Sequence, residues 1–188
     1  RADAKQLQMT KSPFDLREIT RSIYEEQTMV TEKKNQTVDI NLPTEPIIIN
    51  GDQQYIRMAM ENVISNASKY TPDDGRIAIS LKIEKSTAIF TVIDNGVGVS
   101  QRDMKLLFKK FSRVPNEMTG KVSGSGIGLY LAKKVMDAHN GEVIFTSENG
   151  VGSNVSLVFP KSKKPLTAKL GPTKQSQLPK RSKLPKKR

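Results

Sequence analysis

Three short stretches carry side chains whose type and spacing could do chemistry. Between Asp52 and Tyr70, Asn62, Asn66 and Lys69 recur at helical spacing. On a wheel of about 100° per residue, Ile56, Met60, Val63, Ile64 and Ala67 share one face, and the two amides and the ammonium occupy the other. Amide oxygens one turn apart suit a hard, partly hydrated cation such as magnesium, and Lys69 a turn later can meet phosphate oxygens. A solvated helix face would look the same. Asp94 ends the apolar run Ala88–Ile93 and precedes Gly96 and Gly98. A carboxylate held there can accept from an exocyclic amine, while the glycines let backbone approach a flat ring. As a bare string, Asp94 to Gly98 is equally a tight turn. Gly124-Ser125-Gly126-Ile127-Gly128 runs straight into a helical pattern, so its amides and the helix start form an anion site. A hinge without ligand is the alternative. No G-x-x-x-x-G-K-[ST] loop occurs, since Gly120-Lys121 lacks both the upstream glycine and a following Ser or Thr.

Elements to position these groups follow from periodicity. Phe14 to Glu32 reads as an amphipathic helix through Leu16, Ile19, Ile23 and Val30, with Asp15 and Glu18 near its positive end. Val38 to Leu42 alternates and stops at Pro43, as a half-buried strand does. Asn50-Gly51-Asp52 opens the second helix, which Thr71-Pro72 closes near Tyr70. Ile77–Leu81 and Ala88–Ile93 make a hairpin across Lys82–Ser86. From Val97 to Val122 the chain is mostly irregular, with a short helical pattern at Asp103–Phe111; long loops inside compact domains are usually functional. A third helix runs from Gly126 to His139, capped by Asn140-Gly141, and Val143–Thr146 and Val155–Phe159 close the fold. The expected class is α/β (α+β), a mixed sheet of about five strands with three main helices.

Length and composition exclude several functions. At 188 residues the chain holds one sizeable core plus appendages. Its net charge of +12 is uneven: residues 161–188 contain 11 Lys and Arg and no acid, leaving 20 basic against 19 acidic in residues 1–160. The body is therefore nearly neutral, and no general nucleic-acid role follows from the total. Without cysteine there is no disulfide, thiolate nucleophile or cysteine zinc site, and a single histidine, His139, excludes a multi-histidine metal cluster. No apolar run approaches the 18 or so residues that span a bilayer, and Arg1-Ala2-Asp3 is neither signal peptide nor initiator, so the expectation is a piece of a longer protein.

Taken together, the motifs resemble the ATP-binding domain of sensor histidine kinases. Asn62-Val-Ile-Ser-Asn66-Ala-Ser-Lys69-Tyr70 is similar to the N box of that family, Asp94-Asn-Gly96-Val-Gly98 to the G1 box, Phe108-Lys-Lys-Phe111 to the F box and Gly124–Leu129 to the G2 box. Gly150-Val-Gly152-Ser153 looks like the final glycine box. The resemblance covers residues 14–160. It implies a Bergerat-type two-layer sandwich, with helices on one face of the sheet and Mg-ATP held between the N-box helix and a lid. Carried over by position, Asn66 and Asn62 bind magnesium, Lys69 touches phosphate and Tyr70 borders the nucleotide. Asp94 accepts from the adenine amino group, with Gly96 and Gly98 against the base and Ser153 supporting the carboxylate, directly or through water. Gly124, Gly126, Gly128 and Leu129 border the nucleotide from the lid side. Arg113 meets the terminal phosphate, so that Asn62, Lys69 and Arg113 carry the transfer. Phe108 and Phe111 are expected to pack the lid.

The resemblance also implies a reaction. Related chaperone and mismatch-repair ATPases place a water-activating glutamate where this chain has Asn62, and an amide takes no proton at neutral pH. Water attack is then poorly assisted, and transfer of the γ-phosphoryl group to a histidine on a dimerisation domain outside this chain is expected, with a response regulator downstream. A non-kinase ATPase or nucleotide-gated switch of the same superfamily, or a binding module without turnover, are the alternatives. His139 is not expected to be the acceptor: it resembles the His-Gly stretch that closes the family's third helix, where a cation suits the helix C-terminus. Residues 1–13 are expected to lead out of the dimerisation helix. The full-length protein is expected in the cytoplasm, with any membrane anchor outside this chain. Residues 161–188, rich in Lys, Pro, Ser and Thr and lacking aromatics, are expected to be a disordered tail. That tail serves either as a solubilising linker or in salt-sensitive contact with anionic nucleic acid or membrane surfaces.

Overall fold

Two aspartates set the starts of the first two helices. The Asp15 carboxylate accepts from the N–H of Arg17 at 3.0 Å and of Ile47 at 3.1 Å, and pairs with the Arg17 guanidinium at 2.7 Å. Burial acts to raise its pKa, but these partners outweigh burial and hold the carboxyl below the usual range. Asp52 accepts from Gln54 and Tyr55 at 3.1 and 3.2 Å, satisfying the orphan donors of the second helix. Its other oxygen takes the N–H of Thr10 at 2.8 Å.

The computed structural model describes residues 8–114 and 124–160. In chain order the elements are β1 (Ser12–Asp15), α1 (Leu16–Lys33), β2 (Thr37–Asn41), β3 (Ile48–Gly51), α2 (Gln53–Tyr70), β4 (Arg76–Glu84), β5 (Thr87–Asp94), a short 3-10 turn (Met104–Leu106), α3 (Gly128–Ala138), β6 (Glu142–Glu148) and β7 (Gly152–Pro160). Five strands form one sheet in the order β2-β4-β5-β7-β6, and β1 pairs with β3 in a separate antiparallel ribbon. Within the large sheet β2 runs parallel to β4 and every other pair is antiparallel, so the sheet is mixed.

One face of the sheet is buried and the other is open. Along β4, β5 and β7 the inward positions Ile77, Ile79, Phe90, Val92, Leu157 and Phe159 are at most 2 % exposed. The alternating positions Ala78 and Ile93 stay in solvent, as a period of two requires. Helix α2 lays Ile56, Met60, Val63 and Ile64 on the buried side, against α1, α3, β5 and β7. The expected two-layer sandwich with three helices on one face is therefore the observed fold.

Differences from the sequence reading lie at ends and in short pieces. The ribbon β1–β3 was not expected, and it starts α1 at Leu16 rather than Phe14. The pattern at Asp103–Phe111 yields only the turn at Met104–Leu106. Helix α3 starts at Gly128 rather than Gly126, because Gly126 has φ +69°, outside helical space. The tail 161–188, Gly120 and Lys121, and residues 1–7 of the expected leading segment lie outside the described residues.

His139 corrects a further expectation. It is buried at the end of α3, with Nδ1 2.7 Å from the Val135 carbonyl and Nε2 accepting the N–H of Asp52 at 2.9 Å. The carbonyl accepts only from Nδ1–H and the Asp52 donor needs a lone pair on Nε2, so the ring is neutral rather than a cation at a helix terminus. Burial, the largest influence, pushes its pKa below the ordinary value.

Candidate functional site

The last two turns of α2 are held by residues from outside the helix. Lys34 Nζ donates to the carbonyls of Ser68, at 2.7 Å, and Thr71. Gln36 Nε2 donates to the same two carbonyls at 2.9 and 2.8 Å, and Ser68 Oγ donates back to Gln36 Oε1 at 2.9 Å. A helix end leaves such carbonyls unpaired, and a cation there also opposes the negative end of the dipole. These bonds fix where Asn66, Lys69 and Tyr70 stand. The backbone after β5 then locks on, since Val97 donates to the Tyr70 carbonyl at 3.1 Å.

Asp94, the last residue of β5, is 9 % exposed. Burial raises its pKa, and the backbone N–H groups of Gly96, at 2.9 Å, and Ser153 pull against that rise. The support from Ser153 is thus a backbone donor. Its hydroxyl lies 3.2 Å from Ser147 Oγ instead. Ser147 Oγ also accepts from Val99 N–H at 2.8 Å and donates to the Gly152 carbonyl at 2.7 Å, tying β6 and β7 to the strap Val97–Val99. The strap needs Gly98, whose φ is +63° and on which a Cβ would lie 1.9 Å from the Glu148 carbonyl oxygen.

A single cleft brings the three motif regions together. Its α2 wall carries Asn62, Asn66, Lys69 and Tyr70, and its inner end carries Asp94, Gly98 and Ser153. From the lid side come Arg113, Gly124, Gly126, Gly128 and Leu129. Of the expected site residues only Gly96 does not line it. Gly96 supports the Asp94 carboxylate from behind, packed so closely on the Tyr70 carbonyl oxygen that a Cβ would lie 2.4 Å from it.

Chemistry differs along the cleft. The buried carboxylate of Asp94 lies at the inner end, whereas Lys69 and Arg113 are exposed. Asn62 Nδ2 donates to the Met58 carbonyl at 2.9 Å, which leaves Oδ1 as its uncommitted acceptor. Gly128, the first residue of α3, approaches that oxygen so closely that a Cβ would stand 2.6 Å from it. Among the described residues there is no cluster of three His, Cys, Asp or Glu side chains able to hold a metal. A divalent ion in this cleft would have amide oxygens and ligand oxygens to bind, a donor set that suits magnesium.

Phe108 packs edge-on against Phe145 of β6, with centroids 6.3 Å apart and planes at 88°. Phe111 does not pack: it is 67 % exposed, with φ +62° and the Lys110 ammonium 5.1 Å from its ring centroid. The expectation that it packs the lid is corrected: its ring stands in solvent beside the Lys110 ammonium. Sequence reasoning missed Lys34, Gln36, Ser147 and Phe145. The first three act through hydrogen bonds between segments distant in sequence, for which a single sequence holds no signal. Phe145 was visible only as one apolar residue of an alternating strand.

Residues 51–163, more than half of the chain, match the family described as histidine kinase-, DNA gyrase B- and HSP90-like ATPase. The chain belongs to this family. It is 34 % identical over 131 residues to the sensor histidine kinase WalK of Bacillus subtilis, an alignment covering 68 % of this chain and 21 % of that protein. It is 30 % identical over 164 residues to the sensor protein kinase WalK of Staphylococcus saprophyticus, covering 82 % and 27 % respectively. This ATPase-family chain thus spans about a fifth to a quarter of the length of these relatives. The solved catalytic domain of the histidine kinase ThkA, nucleotide-free, shares the fold with a TM-score of 0.71 at 21 % identity, over 81 % of this chain and 97 % of that one. Among the described residues of this family member, no helix is long and apolar enough to cross a membrane.

Proposed function

We propose that the domain binds Mg-ATP in this cleft and donates the γ-phosphoryl group to a histidine on a dimerisation domain outside this chain. The observation that carries the reading is one cleft with a buried carboxylate at its inner end and two amides and two cations along its walls. Asp94 accepts from the adenine amine through lone pairs that the Gly96 and Ser153 N–H groups leave available. Asn66 and Asn62, through their amide oxygens, supply the protein oxygens for magnesium, which when bound neutralises phosphate charge. Lys69 and Arg113 meet phosphate oxygens, and the amides from Gly124 to Gly128 face the same anion at the start of α3.

In the transfer, a nitrogen of the acceptor imidazole forms the N–P bond. The bond from the γ-phosphorus to the β–γ bridging oxygen breaks, and its electron pair leaves with ADP. The chain's part is to align the phosphates and offset the charge that spreads over them. Asp94 is the one carboxylate among the described residues that line the cleft, and it sits at the base end. No acid in that lining can take a proton from an attacking water beside Asn62, which supports slow hydrolysis and competent transfer. Through the acceptor histidine the phosphoryl group passes to a response-regulator aspartate.

The domain proper is residues 14–160, with Ser12 and Pro13 of the preceding segment joined to it through β1. Residues 1–13 lead in from the dimerisation helix, and residues 161–188 form a basic tail that is a linker or a phosphate-contacting arm. The full-length protein works in the cytoplasm or anchored on its membrane side. The test mixes the chain with labelled ATP and a separate acceptor domain. Acid-labile, base-stable label on the acceptor, lost in Asp94→Asn, is expected. Fast release of free phosphate with an unlabelled acceptor would contradict the reading.

A further inference from the structure

Ser147 stands outside the motifs, yet it is bonded to three parts of the inner end of the cleft. It sits directly opposite Ser153 in the β6–β7 pairing, with its hydroxyl 2.8 Å from Val99 N, 2.7 Å from the Gly152 carbonyl and 3.2 Å from Ser153 Oγ. A hydroxyl has one proton to give and two lone pairs to accept with. The Gly152 carbonyl can only accept, so the Ser147 proton goes there. The Val99 N–H can only donate, and it occupies one lone pair. The contact with Ser153 then has a single direction: Ser153 donates to Ser147. With its proton committed away from the ligand, Ser153 keeps its lone pairs for the cleft that it lines.

We infer that Ser147 is a positioning residue for base selection, holding Ser153 as a hydrogen-bond acceptor beside Asp94 so that the inner end favours a base presenting an amine over one presenting a carbonyl. The inference rests on the nucleotide reading above and extends it to a residue that touches no ligand. A purine with an exocyclic amino group meets two acceptors there. A purine with a carbonyl at that position, which also carries a proton on N1, sets that oxygen against lone pairs on both sides, and the Ser153 proton cannot turn to relieve it while Ser147 holds it. An acceptor left facing the buried Asp94 carboxylate and the half-buried Ser153 hydroxyl is costly, so the intact chain prefers the amine.

The experiment measures dissociation constants of ADP and IDP, whose bases differ in the exocyclic group and in the N1 proton that accompanies the carbonyl, for the full chain and for Ser147→Ala and Ser147→Thr. In Ser147→Ala the Val99 N–H loses its partner and the Ser153 hydroxyl is free to rotate. ADP binding is expected to weaken about fivefold, the worth of one net hydrogen bond. IDP binding is expected to hold or improve, so the ADP-over-IDP preference drops by about fivefold or more. Ser147→Thr keeps the hydroxyl on a strand that tolerates β-branching, and the preference is expected to return. A purely structural role would weaken both ligands by the same factor and leave the ratio unchanged, and that result, or an unchanged ratio in Ser147→Ala with normal binding, overturns the inference. Failure of the unsubstituted chain to bind ADP would overturn the nucleotide reading itself, and this inference with it.

Discussion

Replacing Asp94 by Asn separates binding from stability, because the carboxylate is held where the fold does not favour it. The carboxylate accepts the Gly96 N–H at 2.9 Å and also the Ser153 N–H, and its remaining lone pairs can take the adenine amine. An Asn side chain has one oxygen. It can satisfy Gly96 or the amine, and its NH2 group must then face the other donor. Losing a hydrogen bond to a charged acceptor costs about 1.5–3 kcal/mol. That converts to a rise in the dissociation constant of roughly 10- to 150-fold for ADP. Stability should not fall with affinity. The pKa of Asp94 is raised in the fold by burial, so its favourable contribution is present below the unfolded pKa and is lost as pH rises through the folded pKa. At pH 7 the ionised group is a burden that Asn lacks, and the ligand-free variant should be no less stable than the unsubstituted chain, as is usual where function costs stability. Calorimetric titration with ADP and urea denaturation of the ligand-free chain read the two effects. Unchanged affinity refutes the base-recognition role, and a large loss of stability refutes the burial argument.

Lys69→Ala should weaken ADP and ATP by about tenfold, with little change for adenosine, because the exposed ammonium meets phosphate only; an equal loss for adenosine in competition titrations contradicts this. Gly98→Ala should lose about 2 kcal/mol or more by urea titration, from a strained positive φ and the clash with the Glu148 carbonyl, and should also lose nucleotide binding. The lowered pKa of His139, the only histidine, stabilises the fold above about pH 6.5, and that stability is lost as pH falls through its folded value. Asp94 opposes this trend, so the loss is read most cleanly in the Asp94→Asn background, where urea midpoints at pH 5.5 should lie below those at pH 7.5; equal midpoints contradict a neutral buried ring. Asp15 and Asp52 do not confuse that window, because their lowered pKa values place their losses below pH 3.8.

Much of the fold was legible because its long elements are strongly periodic. Helix α2 came through with its faces assigned and the hairpin β4–β5 as a pair of strands, since a 3.6-residue repeat and a two-residue repeat are hard to confuse over that length. Strands β1 and β3 were not, being four residues each and stable only because they pair with one another across α1 and β2. The cleft was legible as five ordered motifs, and what the motifs lacked was the scaffolding between them. Lys34, Gln36 and Ser147 bond to backbone or to one side chain in another segment, and residues of those types are common on any surface. His139 was misread as a cation because a helix end argues for one locally, while its acceptor bond from Asp52 comes from a residue 87 positions away.

The central claim is that Asp94 and the Asn62, Asn66 and Lys69 face of α2 grip opposite ends of one nucleotide. A crystal structure of the chain with magnesium and a non-hydrolysable ATP analogue tests it most directly. The expected result has the adenine amine at hydrogen-bond distance from the Asp94 carboxylate, with the metal and phosphates between Asn66, Lys69 and the start of α3. A nucleotide bound elsewhere, or lying in the cleft with its phosphates at Asp94, would contradict it.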